Sequence, residues 1–164
     1  MLTKILLVSL LILAAFGNSV RISVCCGLLS TLLAFLLAYT IHYSNLPGAF
    51  KRFIRRAAVI PMLLPTITYG FAIIYSFGKQ GLITKLFGRQ LFDLYGFWGL
   101  LLGYLIYTLP VSFLLVSVTM EYIDKKFSVV SRIMGDKPWQ TFVGTVARPL
   151  SGTLAASFVQ CFFL

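Results

Sequence analysis

Acidic side chains are scarce in this sequence. Asp and Glu together number 4, against 14 Lys and Arg, for a net charge of +10. Charged residues of both signs make up only 11% of 164 residues, where soluble domains carry about 25%. That deficit excludes a water-soluble globular surface. Histidine occurs once, at His42. Cys25, Cys26 and Cys161 form no CxxC or Cys/His spacing, so neither a metal site nor a disulfide framework is implied. The phosphate-binding pattern GxxxxGK[ST] is missing, so no such loop is available to hydrolyse ATP. The long apolar runs contain no Asp, Glu or interior His. That argues against a membrane-embedded enzyme or proton relay, which needs ionisable groups inside its spans. The positive charge does not point to nucleic acid, because the basic residues fall between apolar runs and not along one face.

Apolar sequence is abundant, at 59% of the chain. The fold class expected is all-α, a polytopic bundle of membrane helices. Ile5–Phe16 is too short to span and reads as an interfacial or partial helix, with Asn18 and Ser19 as caps for the first full span. Spans are expected at about 19–43, 57–77 and 96–120, with an incomplete one over 150–164. The second contains Pro61, Pro65 and Gly70, so its freed carbonyls are expected to find partners inside a bundle or beside a water-filled path. Pro61, Pro65 and Tyr69 are candidates for lining that path, beside the alternative of ordinary packing and a kink. Gly96, Gly99 and Gly103 lie on one side of the third span, where they allow close helix approach. "GLITKLFG" reads as a short segment lying on the membrane. The last apolar run is still continuing at Leu164 and is too short to span, so a truncated chain is expected.

Topology follows from charge. The loops 44–56 and 121–149 carry nine of the basic residues; Lys4, Arg21, Lys79, Lys85 and Arg89 fall on the other side. The positive-inside rule places the first two loops in the cytoplasm. Within the segment from Lys125 to Arg148, Phe127, Val130 and Met134 share a helical face, and Gly135 supplies a stop. Asp136 is expected to cap a new helix with Pro138 in its first turn. Trp139, Phe142, Val143 and Val146 then recur at helical spacing. The loop should be two short helices with a joint at Gly135 and Asp136, before Pro149 opens the next span. On periodicity alone these helices fit either the headgroup layer or a groove on a soluble partner.

"SVVSRIMGDKPWQTFVGTVARPLSGTL" resembles the cytoplasmic signature loop of permease subunits in binding-protein-dependent ATP-binding-cassette (ABC) importers. Gly135 matches the family glycine, and Pro138, Trp139, Thr141 and Phe142 match the stretch after it. Val129 stands at the family's glutamate, and Val130 and Ser131 at its two alanines. "NSVRISV", "IPMLLPTITYGFAIIYSFGKQGLITKLFG" and "YGFWGLLLGYLIYTLP" are similar to permeases of the ferric iron, 2-aminoethylphosphonate and polyamine branch.

The resemblance implies a multi-pass protein of the bacterial inner membrane, with a further span expected before Ile5 and the rest of the last run plus more spans after Leu164. It implies partners: cytoplasmic ABC ATPase subunits, a second permease subunit, an extracytoplasmic solute-binding protein and the lipid bilayer. No cofactor is expected on this chain, since ATP and Mg²⁺ would sit on the ATPase. The loop positions Val130, Ser131, Met134, Gly135, Asp136, Pro138, Trp139 and Phe142 would form the coupling segment. Gly135 and Asp136 would make its joint; Trp139 and Phe142 would form a ridge that faces the partner or buttresses the loop. The rival reading is a membrane scaffold or channel without ATPase coupling, which would not need the Gly135–Phe142 pattern.

Overall fold

The computed structural model describes residues 2–89, 93–124 and 126–164, and every regular element among them is helical. Lys125, the expected start of the loop segment, lies outside the described residues. Helix α1 (Leu2–Tyr43) is followed by α2 (Gly48–Val59), a 3₁₀ turn (Ile60–Leu63), α3 (Thr66–Phe77) and α4 (Leu82–Phe87). Then come α5 (Phe97–Glu121), α6 (Lys126–Ile133), α7 (Pro138–Phe142), a π-turn (Val143–Ala147) and α8 (Arg148–Phe163).

Helix α1 differs from the expected short segment plus span. It passes through Gly17, Asn18 and Ser19 without a break for 42 residues. The physical reason is a comparison of costs. An interior Gly and Asn cost about 1 kcal/mol or less each relative to Ala. Ending the helix there would leave four N–H and four C=O groups without an intrahelical partner. At about 1.5 Å per residue α1 is roughly 63 Å long, twice the hydrocarbon thickness of about 30 Å. Its first part, including Leu6, Leu10, Leu13 and Phe16, projects beyond the other helices and is exposed.

The core is a three-helix seam of α1, α5 and α8. Cys26, Ser30, Ala34 and Ala38 lie every fourth residue along α1 and are all buried. Thr108, Ser112, Val116 and Met120 repeat the same spacing on α5 and are buried too. Small side chains on matching ridges let the two helices approach closely. The Thr108 hydroxyl donates to Ser30 Oγ at 3.1 Å, and Ser30 donates to Ser112 at 3.4 Å. Helix α8 joins through Ser112 and Cys161, 2.8 Å apart, and through Thr31 and Ser157, 3.4 Å apart. These pairs show α5 parallel to α1 and α8 antiparallel to both. A Cβ on Gly27 would sit 3.0 Å from the Phe158 ring, so α8 also presses directly on α1.

The expected second span is not one helix. The chain bends by 112° between the segments Gly48–Leu63 and Thr66–Phe87. Leu64 adopts an extended conformation (φ −94, ψ 143), as the residue before a proline prefers, and Pro65 opens α3. Part of the bend's hydrogen bonding is local: Leu64 N–H donates to Pro61 O at 3.1 Å and Thr68 N–H to Pro65 O at 2.9 Å. The Tyr69 hydroxyl donates to Leu64 O at 3.0 Å. Only Tyr69 and Ile73 of α3 are buried. Among the described residues α1 and α5 are each long and apolar enough to cross a membrane, and the bent pair makes a third crossing only if it is one broken span.

Helix α5 shows why its glycines differ. A Cβ on Gly99 would lie 1.7 Å from Leu94 O, because the preceding loop folds back onto it. At Gly103 the nearest atom would be Ile73 Cδ1 at 3.9 Å, ordinary contact. Pro110 sits inside α5, fully buried, without interrupting it.

Candidate functional site

The loop after α5 is built on a left-handed joint. Gly135 has φ +86, a conformation that side chains with a Cβ rarely adopt. Gly135 N–H donates to Arg132 O and Asp136 N–H to Ser131 O, both at 3.1 Å. Those two bonds are a Schellman motif closing α6. Asp136 does not cap the next helix, contrary to expectation. Its carboxylate accepts from Ser131 Oγ at 2.6 Å, and Ser131 Oγ also lies 3.0 Å from Thr141 Oγ1. The N-cap is Lys137, whose backbone N–H donates to Gln140 Oε1 at 2.9 Å. Ser131, Asp136 and Thr141 therefore tie α6 to α7 across the joint, with Thr141 only 5% exposed.

The second arm is not a separate short helix. From Pro138 the chain stays helical through the π-turn into α8, ending at Phe163. The widened turn closes with Arg148 N–H donating to Val143 O. It ends at the residue before Pro149, which has no N–H to return to Thr145 and would crowd that carbonyl in a tight α-turn. Val146 and Leu150 are buried on either side of this adjustment. The arm is thus a direct extension of α8.

Trp139 and Phe142, the expected ridge, touch each other but differ in their surroundings. Phe142 is half-buried and packs edge-on against Phe35 (centroids 6.3 Å apart) and Tyr39 (5.8 Å) of α1. Tyr39 stacks in turn on Phe35 and Tyr43. Trp139 lies 5.7 Å from Phe142 on the outer side and is 71% exposed. Trp139 thus stands at the outer end of an aromatic chain that reaches α1 through Phe142. On α6, Phe127, Val130 and Met134 line an open cleft of about 540 Å³ facing Thr145 and Pro149. Val129, Ile133 and Met134 are exposed as well. Val129, at the family's glutamate position, offers no polar group to the loop.

The residues expected to line a path fall into two groups. Pro61 and Pro65 form the bend itself. Tyr69 lines a cavity of about 530 Å³ between α3 and α5, with Gly70, Ile73, Gly103, Tyr104 and Tyr107. Sequence reasoning misses the tyrosines of α5. Their spacing relative to Gly103 places them on the side that α3 leaves open.

A family model described as "Binding-protein-dependent transport system inner membrane component" matches residues 30–163. This chain belongs to that family. Its membrane helices and all-α architecture are those of a multi-pass permease. It is 29% identical over 147 residues to the molybdenum transport system permease protein ModB of Haemophilus influenzae, covering 87% of this chain and 62% of that protein. It is 23% identical to the probable sulfate transport system permease protein cysT of Prototheca wickerhamii, covering 90% of this chain and 58% of that protein. To the thiamine transport system permease protein ThiP of Escherichia coli it is 26% identical, over 83% of this chain and 26% of that protein. The chain thus spans about three-fifths of the first two relatives, and the relatives' names single out no one solute branch.

Proposed function

We propose that this permease forms part of the solute path of an ABC importer and is driven by a separate cytoplasmic ATPase through the loop around Gly135–Phe142. The observation that carries the reading is the unbroken helix from Pro138 to Phe163, with exposed Trp139 at its outer end and Phe142 seated on α1. A lever must be stiff to transmit displacement. This one is fastened at its base by Ser131, Asp136 and Thr141 and is continuous with a helix of the core seam.

The mechanism rests on that connection. The ATPase would hold ATP and Mg²⁺; this chain would hold neither. A groove on the ATPase would take the exposed apolar side chains Ile133, Met134 and Trp139. Movement of that groove would push Phe142 against Phe35 and Tyr39, and draw α8 along α1 and α5. The hydroxyl contacts between those helices are weak and exchangeable, so the seam can shift in register without exposing large apolar surface. A second permease subunit and an extracytoplasmic solute-binding protein would complete the importer. Within the family, the sequence resemblance supports the ferric iron, 2-aminoethylphosphonate and polyamine branch as the proposed placement.

Co-purification tests the reading. The full permease should recover an ATPase subunit, and Trp139→Glu should lose both that association and uptake. Association and uptake unchanged in Trp139→Glu and in Gly135→Pro would refute ATPase coupling and leave a scaffold or channel.

A further inference from the structure

A second groove lies at the same end of the bundle, between α2, the 3₁₀ turn and α5. It has a volume of about 570 Å³. Arg55 and Arg56 stand at its mouth, and Ile60, Leu63, Leu114 and Val118 form its walls. The two walls run in register. From Arg56 the first passes Ile60 to Leu63; from Glu121 the second passes Val118 to Leu114, about a turn per step. Ile60, Leu63, Leu114 and Val118 are all exposed.

The mouth is cationic. Arg55 is paired with Glu121, which neutralises the one acid there. Arg52 lies one turn before Arg56 on α2, close enough for both guanidinium groups to reach one ligand. Arg52 donates to the Gly48 carbonyl, and Arg56 has no acidic partner among the described residues. The rest of α2 fits a membrane surface: Phe50 and Phe53 are exposed with their rings stacked 6.5 Å apart, while Ala58 is buried against the core. An amphipathic helix of this pattern lies in the headgroup layer with its apolar face in the acyl region. The loop 44–56 belongs to the basic, cytoplasmic end of the chain.

We propose that this groove binds an anionic phospholipid of the cytoplasmic leaflet, its phosphate on Arg52 and Arg56 and one acyl chain along Ile60, Leu63, Leu114 and Val118. Charge complementarity selects this occupant. A groove with arginines at the membrane surface and four apolar side chains leading inward matches a negative headgroup above a hydrocarbon tail. It also explains why Glu121 is held by Arg55: a free carboxylate at the mouth would repel the phosphate.

The test uses the full chain in its membrane complex, reconstituted in nanodiscs of phosphatidylcholine with and without phosphatidylglycerol. Native mass spectrometry reads which lipids stay bound. Phosphatidylglycerol should be retained in preference to phosphatidylcholine. Arg52→Gln and Arg56→Gln should each lower that preference about fivefold, from the loss of one basic group near the surface. Glu121→Gln should raise it, and Leu114→Trp should lower retention without changing charge. Equal retention of the two lipids, or a preference that ignores Arg56→Gln and Glu121→Gln, would overturn the proposal. So would photocrosslinking of p-benzoylphenylalanine at position 63 to another protein segment, which would show that a second copy or a further part of the permease covers the groove.

Discussion

Gly135 is the position where a single methyl group separates the joint from ordinary loop sequence. Its φ of +86 is a left-handed conformation, and a Cβ built there meets nothing within 4 Å. Substitution therefore costs backbone strain alone, with no clash to confuse the result. For Ala that strain is about 1–2 kcal/mol. Asn visits the left-handed region more readily and should cost less; Val should cost at least as much as Ala. The strain falls on the two bonds of the joint, from Gly135 N–H and Asp136 N–H. Hydrogen exchange of the peptide covering residues 131–136 measures their opening directly. Exchange should be about 5–30 times faster in Gly135→Ala than in wild type, with Gly135→Asn in between. The global thermal midpoint should hardly move, since the core seam is elsewhere. Equal exchange for Gly, Asn and Ala would refute the left-handed joint. A large fall in global stability with Ala would show that residue 135 is packed, contrary to the open space around it.

Other substitutions test the same set of contacts. Gly99→Ala places a methyl against Leu94 O and should lower the unfolding midpoint, at a cost of about 1–3 kcal/mol; Gly103→Ala, with 3.9 Å to its nearest neighbour, should be tolerated in the same thermal assay. Thr141→Val removes one member of the fastener and leaves Ser131 with Asp136 alone, which should cost about 1 kcal/mol and speed proteolysis between α6 and α7. Phe142→Ala should destabilise the permease by about 2 kcal/mol in a denaturation series, because its ring packs on α1. Trp139→Ala, being exposed, should change stability by no more than about 0.5 kcal/mol.

Much of the loop is legible in the sequence because its residues act locally. Glycine is the residue that a left-handed stop requires, and Gly135 sits where the apolar spacing of Phe127, Val130 and Met134 ends. Asp136 is easily misread, because a capping aspartate and a fastening aspartate look alike in sequence; the Ser131 hydroxyl five residues earlier decides between them. The π-turn is hidden for a similar reason. Pro149 signals a break when read alone, yet one widened turn lets the helix continue. The long helix expected over Gly96 to Met120 is Phe97–Glu121. The continuity of α1 is obscured by Gly17 and Asn18, whose weak helix propensity is outweighed by the backbone hydrogen bonds that an unbroken helix keeps. The seam is harder still. Cys26, Ser30, Ala34 and Ala38 are small residues among large apolar ones, and only their four-residue repeat distinguishes them. The glycines of α5 draw attention instead, and they serve a loop contact and a cavity wall. Prolines at 61 and 65 read as kinks, while together they redirect the chain by 112°.

If the loop couples to an ATPase as proposed, Trp139 meets that subunit while Phe142, three residues on, packs on α1. Replacing each in turn by p-benzoylphenylalanine and irradiating the assembled importer tests it in one experiment. The probe at 139 should form a covalent adduct with the ATPase subunit, and the probe at 142 should crosslink within the permease to α1. Adducts to lipid alone at 139, or to the ATPase at 142 and not at 139, would contradict coupling through Trp139.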